Sequence, residues 1–516
     1  MPITINNLYH ARHQLSRYVH PLAKTVGGTP MLMLMLMLWL GSSVQASTPP
    51  NFIVILADDY GWTSLSVPAD KQQPNAKSDF YLTPHIDSLV NAGMRFSNGY
   101  AAAPVCSPTR YSIQFGKSPA RLQRTRVLGE NHADHNQIGI PQVLKSIDKN
   151  YRAAHIGKWH IDADPARYGY DVHDGITNNK AGDFDNKPKQ WHGYAQDDPK
   201  RVDSITGRGI AFMRDAIDKQ QPFFLQISHY AVHSNIVYSE SSFAEVGKRE
   251  KGDLHKNQGY AAMIQDMDLS VGTLLEAYKE LGLADNTYII FLSDNGGMPV
   301  IPMQVNRGKP YRAGLNSPLL RGKWDLTEGG IRVPFAIVGP GITAGSQTDT
   351  PAISYDLLPT VADLAGSLEG LPEDLDGGSL RPLLNNRLAK VNRPDESLFF
   401  HYPHYNRVGM NEPHSAIRHG DYKLIDFPVS ARKLLFNLAD DVGERTDLAR
   451  QMPEMTDLLK EKLDAYLAAV DAERPENSGG WLTIGKEGKV RTRFFQRYSN
   501  DPLLAAPDSV SPPNKN

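Results

Sequence analysis

The sequence predicts an α/β fold: a large, mostly parallel sheet flanked by helices, followed by a smaller C-terminal α+β domain built on an antiparallel sheet. Three observations carry that expectation. From about residue 51 to 366, short apolar runs alternate with stretches of helical periodicity, as successive strand and helix crossovers do. The runs "FIVILA" (52–57) and "YIIFL" (288–292) are apolar at every position, which strands covered on both faces require. Beyond about residue 385 the texture changes to short strands separated by turn residues.

Taken in order, the first 30 residues hold Arg12, Arg17 and Lys24 and no acid, followed by "MLMLMLMLWL" (31–40) and "GSSVQAS". Basic, apolar and small-residue zones in that order predict a signal peptide over residues 1–46, and hence a periplasmic or secreted protein. The apolar run is short of the roughly 20 residues that cross a bilayer, so no stable membrane insertion is expected. Losing the leader removes three basic residues and shifts the net charge from −2 to −5, which leaves no cationic field for nucleic acid. The roughly 470 remaining residues exceed one hydrophobic core and predict two domains, 47–385 and 386–504, with a Pro- and Ser-rich flexible tail over 505–516.

After the first strand, "TPHIDSLVNAGMRFS" reads as a helix with Thr83 as cap and Pro84 just inside. Helix "IPQVLKSIDKN", strand "YRAAHIGKWH", helix "RVDSITGRGIAFMRDAIDKQ" and strand "PFFLQISHY" follow. A long amphipathic stretch from about Tyr260 to Leu281 leads to the strand within 286–297, then to "VPFAIVGPG" and the helical "SYDLLPTVADLAG". In the second domain "SLFFHYPHY", "SAIRHGDYKLIDF" and "KLLFNL" read as strands, and 452–470 as a helix.

Ligands of open α/β sheets bind beyond the carboxyl ends of the strands. Four such ends carry polar residues: Asp58 and Asp59; Lys158 and His160; His229 and His233; Asp294 and Asn295. Each alone reads as a turn or a cap. Together, three carboxylates and an amide oxygen form a hard donor set suited to Ca²⁺ or Mg²⁺. Cys106, the only cysteine, has no partner for a disulfide. Pro108 suggests that a helix starts there, with Arg110 one turn along the same face. A helix start beside a guanidinium makes an anion site, where a thiol is expected to be acidified and reactive.

These residues resemble the type I sulfatase family, formylglycine-dependent and arylsulfatase-like, of the alkaline phosphatase superfamily. "CSPTR" is similar to its Cys-x-Pro-x-Arg signature, with Lys117 in the continuation. "ILADDYGW", "HIGKWH", "PFFLQISHYAVH", "FLSDNGG", "RGKWDLTEGGIRVP" and "LFNLADDVGERTDLA" follow in family order, so the resemblance covers about residues 50–470. It implies an alkaline phosphatase-like fold and conversion of Cys106 into formylglycine by a formylglycine-generating or anaerobic sulfatase-maturing enzyme. It implies Asp58, Asp59, Asp294, Asn295 and the modified Cys106 as ligands of one Ca²⁺, with Mg²⁺ the alternative. Arg110 matches the arginine that steadies the aldehyde hydrate; Lys158, His160 and Lys323 match residues contacting sulfate and nucleophile. His233 matches the remaining catalytic, substrate-contacting histidine by its distance from Leu225, although Asn235 stands where the family usually has proline, which keeps His229 as the alternative.

The reaction so implied is sulfate ester hydrolysis on sulfated polysaccharides or their oligosaccharides. His401 and His404, with Arg407 and His414, and the group Arg307, Lys309 and Arg312, read as a rim that binds an anionic saccharide. Two other readings remain: a phosphodiesterase or phosphonate monoester hydrolase of the same superfamily, and a non-catalytic binder of anionic glycans.

Overall fold

Asn51–Ala57 forms a strand buried at every position, paired in parallel with Thr287–Ser293 on one side and Phe223–Ser228 on the other. It lies inside an eight-stranded sheet of order 346–348, 94–96, 335–338, 287–293, 51–57, 223–228, 152–157, 172–173. All strands run one way except Phe335–Val338, which is antiparallel to both neighbours. In this computed structural model the described residues are 48–127, 134–185, 193–299, 316–404 and 412–475. The expected signal peptide, Arg307, Lys309, Arg312, Arg407 and the 505–516 tail lie outside them.

The central strand divides the core by parity. Ile53, Ile55 and Ala57 pack with residues of helices Val202–Asp218 and Gln258–Glu280, whereas Phe52, Val54 and Leu56 pack with those of Cys106–Phe115, Ile140–Ile147 and Leu357–Ala365. Successive side chains point to opposite faces, so an unbroken apolar run needs helices on both. Among the described residues no helix is long and apolar enough to cross a membrane.

Two expectations change. The helix from Pro84 stops at Ala92, because Gly93 is extended (φ −137°, ψ −149°), and Met94–Phe96 becomes a strand between Phe335–Val338 and Ser346–Thr348. Thr83 precedes the helix without capping it through its side chain; its hydroxyl donates to Asp87 and accepts from the Ser66 N–H.

Leu398–Tyr402, His414–His419, Tyr422–Phe427 and Arg432–Asn437 form an antiparallel meander. Phe399, Ile417, Leu424 and Leu435 meet Leu459 and Leu463 of helix Pro453–Ala469 on one face, where the Phe399 and Tyr466 rings stack at 3.9 Å. On the other face Phe400, Tyr402, Ala416, Ile425 and Phe436 share a core with Tyr100, Val105, Leu320, Leu326 and Ile331. The small sheet therefore backs the chain leading to Cys106 and the segment around Lys323.

Candidate active site

Cys106 is the first residue of helix Cys106–Phe115, with Val105 extended before it. Thr109 secures the entry: its hydroxyl accepts the Ala103 N–H at 3.1 Å and donates to the Ala103 carbonyl at 3.2 Å. Every residue of the helix is buried, Cys106 to 1 % exposure. Candidate ligand atoms of Asp58, Cys106 and Asp294 lie within 4.8 Å of one another, and so do those of Asp58, Asp59 and His233. Residues nearly 240 positions apart in sequence thus meet at one edge of the sheet.

The charges interlock. Arg110 donates from Nε to Asp294 Oδ2 at 2.8 Å, has Nη2 2.7 Å from the same oxygen, and donates from Nη1 to the Lys158 carbonyl. Lys158 Nζ stands 2.5 Å from Asp58 Oδ2, and Lys323 Nζ 2.5 Å from Asp59 Oδ1. Asn295 Nδ2 donates to Asp59 Oδ1 at 2.8 Å, and Asp294 Oδ1 accepts the Asp59 N–H at 3.2 Å. Three buried oxygens, Asp58 Oδ1, Asp59 Oδ2 and Asn295 Oδ1, are left without a hydrogen-bond partner. Buried polar atoms are rarely orphaned, and converging orphan oxygens are the donor set a hard divalent cation takes.

The strand read over "YRAAHIGKWH" was expected to run through Lys158 and His160, but it ends at Gly157. Left-handed backbone at Gly157 (φ +102°) and His160 (φ +59°) turns the chain instead, and Trp159 goes into the core. The His160 carbonyl accepts the Ser107 hydroxyl at 2.9 Å, which ties this turn to the Cys106 helix. His160 Nδ1 has no partner; burial, then Lys158 and Arg110, hold the ring well below its ordinary pKa, so it is neutral.

His233 Nε2 lies 3.8 Å from Asp59 Oδ2, its Nδ1 is 2.5 Å from the Ser234 carbonyl, and the Phe184 ring meets it edge-on at 5.1 Å. Burial, followed by Lys323 and Lys158, pushes its pKa far down. His229 is fully buried with both ring nitrogens unpartnered, and burial alone lowers it to about 4. The geometry thus favours His233. Asn235, at the position usually proline, donates to Asp185 at 3.0 Å. Lys117 stands apart from the cluster, bound to Asp374 and Gln137.

The expected acidic thiol is corrected. Burial raises the Cys106 pKa and the Asp58 and Asp294 carboxylates add to it, against the opposing pull of Lys158 and Lys323. His401 shares the helix-facing side of its strand with Phe399, and Ser415 Oγ and the Glu473 carbonyl lie 2.7 Å from its ring nitrogens. His404 Nε2 pairs with the Thr125 hydroxyl at 2.8 Å, leaving Nδ1 unpartnered.

Two residues escaped the sequence reading. Tyr402 projects to the Cys106 side of the small sheet, its ring 5.2 Å from that of His404; pleat parity could have found it. Lys200 is fully buried, donates to the Gly182 carbonyl at 2.7 Å, and is lowered by burial to about 7 against the pull of Asp183 and Asp58. Nothing in "DPKRVD" signals that burial.

Comparison with known proteins agrees with this arrangement. The family described as Sulfatase matches residues 50–367, and that described as N-sulphoglucosamine sulphohydrolase, C-terminal, matches residues 322–471. N-acetylgalactosamine-6-sulfatase of Homo sapiens is 30 % identical over 383 residues, 68 % of this chain and 68 % of that protein. Arylsulfatase A of Homo sapiens is 29 % identical over 85 % of this chain and 91 % of its own length. Among solved structures, Ps i-CgsB in complex with k-i-k-neocarrahexaose superposes with a TM-score of 0.68 at 25 % identity, covering 87 % of this chain and 99 % of that one. The mixed α/β sheet, the small antiparallel sheet and these matches make the chain a member of the sulfatase family, within the alkaline phosphatase superfamily, and a sulfuric ester hydrolase.

Proposed function

We propose that this protein removes sulfate from sulfated polysaccharides or their oligosaccharides, with residue 106 as formylglycine beside a divalent cation, Ca²⁺ by its donor set. The observation that carries the reading is the convergence of Cys106 with Asp58 and Asp294 next to three partnerless buried oxygens. Saccharide substrates are supported by the sugar named for N-acetylgalactosamine-6-sulfatase and by the neocarrahexaose bound to Ps i-CgsB.

Asp58, Asp59, Asp294 and Asn295 would hold the cation. Asp58 and Asp59 each give one oxygen to a lysine and keep the other free, so lysine and cation can share each carboxylate. When bound, the cation supplies positive charge to the sulfate oxygens and to the nucleophile. The hydrated aldehyde would supply two hydroxyls: one, its proton passing to Asp294, to attack sulfur as the bond to the sugar oxygen breaks, and one whose deprotonation would release sulfate and restore the aldehyde. Arg110 holds Asp294 and the Lys158 carbonyl in place beneath the nucleophile. Lys158 and Lys323 offset charge on the sulfuryl oxygens, preorganised by their carboxylates. His160, neutral and with Nδ1 free, takes the proton from the second hydroxyl. His233 delivers a proton to the departing oxygen. Burial, followed by Lys323 and Lys158, depresses its pKa and opposes that role, and the negative charge of an incoming sulfate ester would counter the lysine part of that shift.

Cys106→Ala is expected to fold and bind sulfated oligosaccharide but to release no sulfate, measured by ion chromatography over a panel of carrageenan, ulvan, chondroitin and heparan fragments. The mass of the tryptic peptide Phe96–Arg110 from active protein tests the nucleophile directly. Active protein that retains an unmodified thiol there refutes the proposed chemistry.

A further inference from the structure

Lys323 reaches the site from a segment held largely from outside it. Two backbone bonds fasten it locally: the Lys323 N–H donates to the Gly297 carbonyl and the Trp324 N–H to the Pro104 carbonyl, both at 2.9 Å. The 320–331 stretch is also held by the Gly296 N–H on the Gly330 carbonyl at 2.9 Å, the Ala101 N–H on the Ile331 carbonyl at 2.8 Å and Asn316 Nδ2 on the Arg321 carbonyl at 2.9 Å, and a further set of anchors comes from the C-terminal sheet. His414 Nε2 accepts the Leu326 N–H at 3.1 Å while Nδ1 stands 2.8 Å from the Glu412 carbonyl. Those two bonds require the neutral ring with its proton on Nδ1.

Two residues further on, Glu328 is fully buried in an ion cluster. Lys423 Nζ lies 2.9 Å from both Glu328 Oε1 and Glu444 Oε1, and Glu444 Oε2 accepts the Glu328 N–H at 2.7 Å. Lys423 and Glu444 have no exposed surface either. Glu328 Oε2 accepts the Tyr100 hydroxyl at 2.7 Å, Arg332 Nη1 lies 3.4 Å from the same oxygen, and Arg418 donates to the hydroxyl oxygen of Tyr100. The cluster thus joins the Lys323 segment, the strand that leads to Cys106, and two strands of the small sheet. Buried ion pairs add little net stability, since desolvation cancels most of the Coulomb gain; their attested use is to select one geometry over near alternatives.

We propose that Lys423, Glu444 and His414 are positioning residues: they fix the 320–331 segment so that Lys323 Nζ stays beside Asp59, and the C-terminal sheet acts on the reaction through that lysine. The inference rests on the reading of Lys323 as a sulfate-contacting cation. The test uses matured full-length protein, calorimetric titration with inorganic sulfate, and melting curves to establish folding. His414→Phe keeps ring packing against Tyr402 and Phe427 but removes the acceptor for Leu326. The double variant Lys423→Met, Glu444→Gln removes the bridging ion and one acid together. The expected result is folded protein with sulfate affinity weakened at least fivefold in both, whereas Lys423→Arg, which keeps a bridging cation, retains most of it. His414→Phe decides alone should the double variant not fold. Folded His414→Phe with unchanged sulfate affinity, alongside a Lys323→Ala variant that has lost it, overturns the positioning inference alone. Unchanged affinity in Lys323→Ala overturns the reading of Lys323 and the inference with it.

Discussion

Gly157 stands at φ +102°, and a Cβ on it would meet the Ser228 carbonyl oxygen at 2.1 Å. That carbonyl accepts the Lys158 N–H at 2.8 Å, so the clash would fall on the bond that starts the turn into the site. Gly157→Ala is expected to cost about 3 kcal/mol, read as a lower urea midpoint at unchanged m-value. Asp59 and His160 hold left-handed backbone without being glycine, and their N–H groups are captured by Asp294 Oδ1 and the Thr177 carbonyl. Strain of this kind gathers where function over-determines the backbone. Asp58, Asp59, Lys158, His160, His233, Asp294 and Asn295 were legible because each follows an apolar strand. Their local electrostatics were not: the acid thiol expected from a helix start and an arginine fails, because Asp294 takes the Arg110 fork and burial dominates at Cys106. Burial of Lys200 likewise depends on residues distant in sequence, which no local pattern encodes.

Among the elements, the longer buried strands were readable and strand direction was not. An apolar run buried on both faces looks the same in either direction, so nothing in "VPFAIVGPG" distinguished the antiparallel Phe335–Val338 from its parallel neighbours. Gly93 was the missed punctuation that separates a helix from the strand Met94–Phe96. The contact between the small sheet and the Lys323 segment carries a pH signature. Burial, then the Glu328 charge, raises Glu444 from its ordinary value to about 7, against the pull of Lys423. A carboxyl raised on folding binds more protons in the native state, so its contribution to stability is full below pH 4.5 and disappears as pH rises through 7. The difference in unfolding free energy between the unaltered protein and Glu444→Gln is therefore expected to shift against the unaltered protein between pH 5 and 7.5, measured by urea unfolding at each pH. A pH-independent difference would contradict the assignment.

For the molecule as a whole, the site residues from Asp58 to Asn295 that end strands could be grouped before any coordinates, because a parallel sheet sends its carboxyl ends to one edge, whereas Lys323 joined them only through the family resemblance. What the grouping did not contain was the C-terminal sheet as a backing for the segments that carry Cys106 and Lys323. Asp58, Asp59 and Asp294 crowded together repel one another, so under the proposed function the native protein is expected to be stabilised by a divalent ion. Chelation with EGTA is expected to lower the melting temperature, and calcium at 100 times its Kd to restore about 2.7 kcal/mol; identical melting curves with and without chelator would argue against the metal. The burial of the Cys106 helix has one more consequence under the proposed chemistry. A maturing enzyme must enclose "CSPTR" in its own cleft, and the finished fold offers it no edge to grip. The extent of conversion is then set by a race between collapse of the chain and arrival of that enzyme, and whichever molecules close first remain inert for their lifetime.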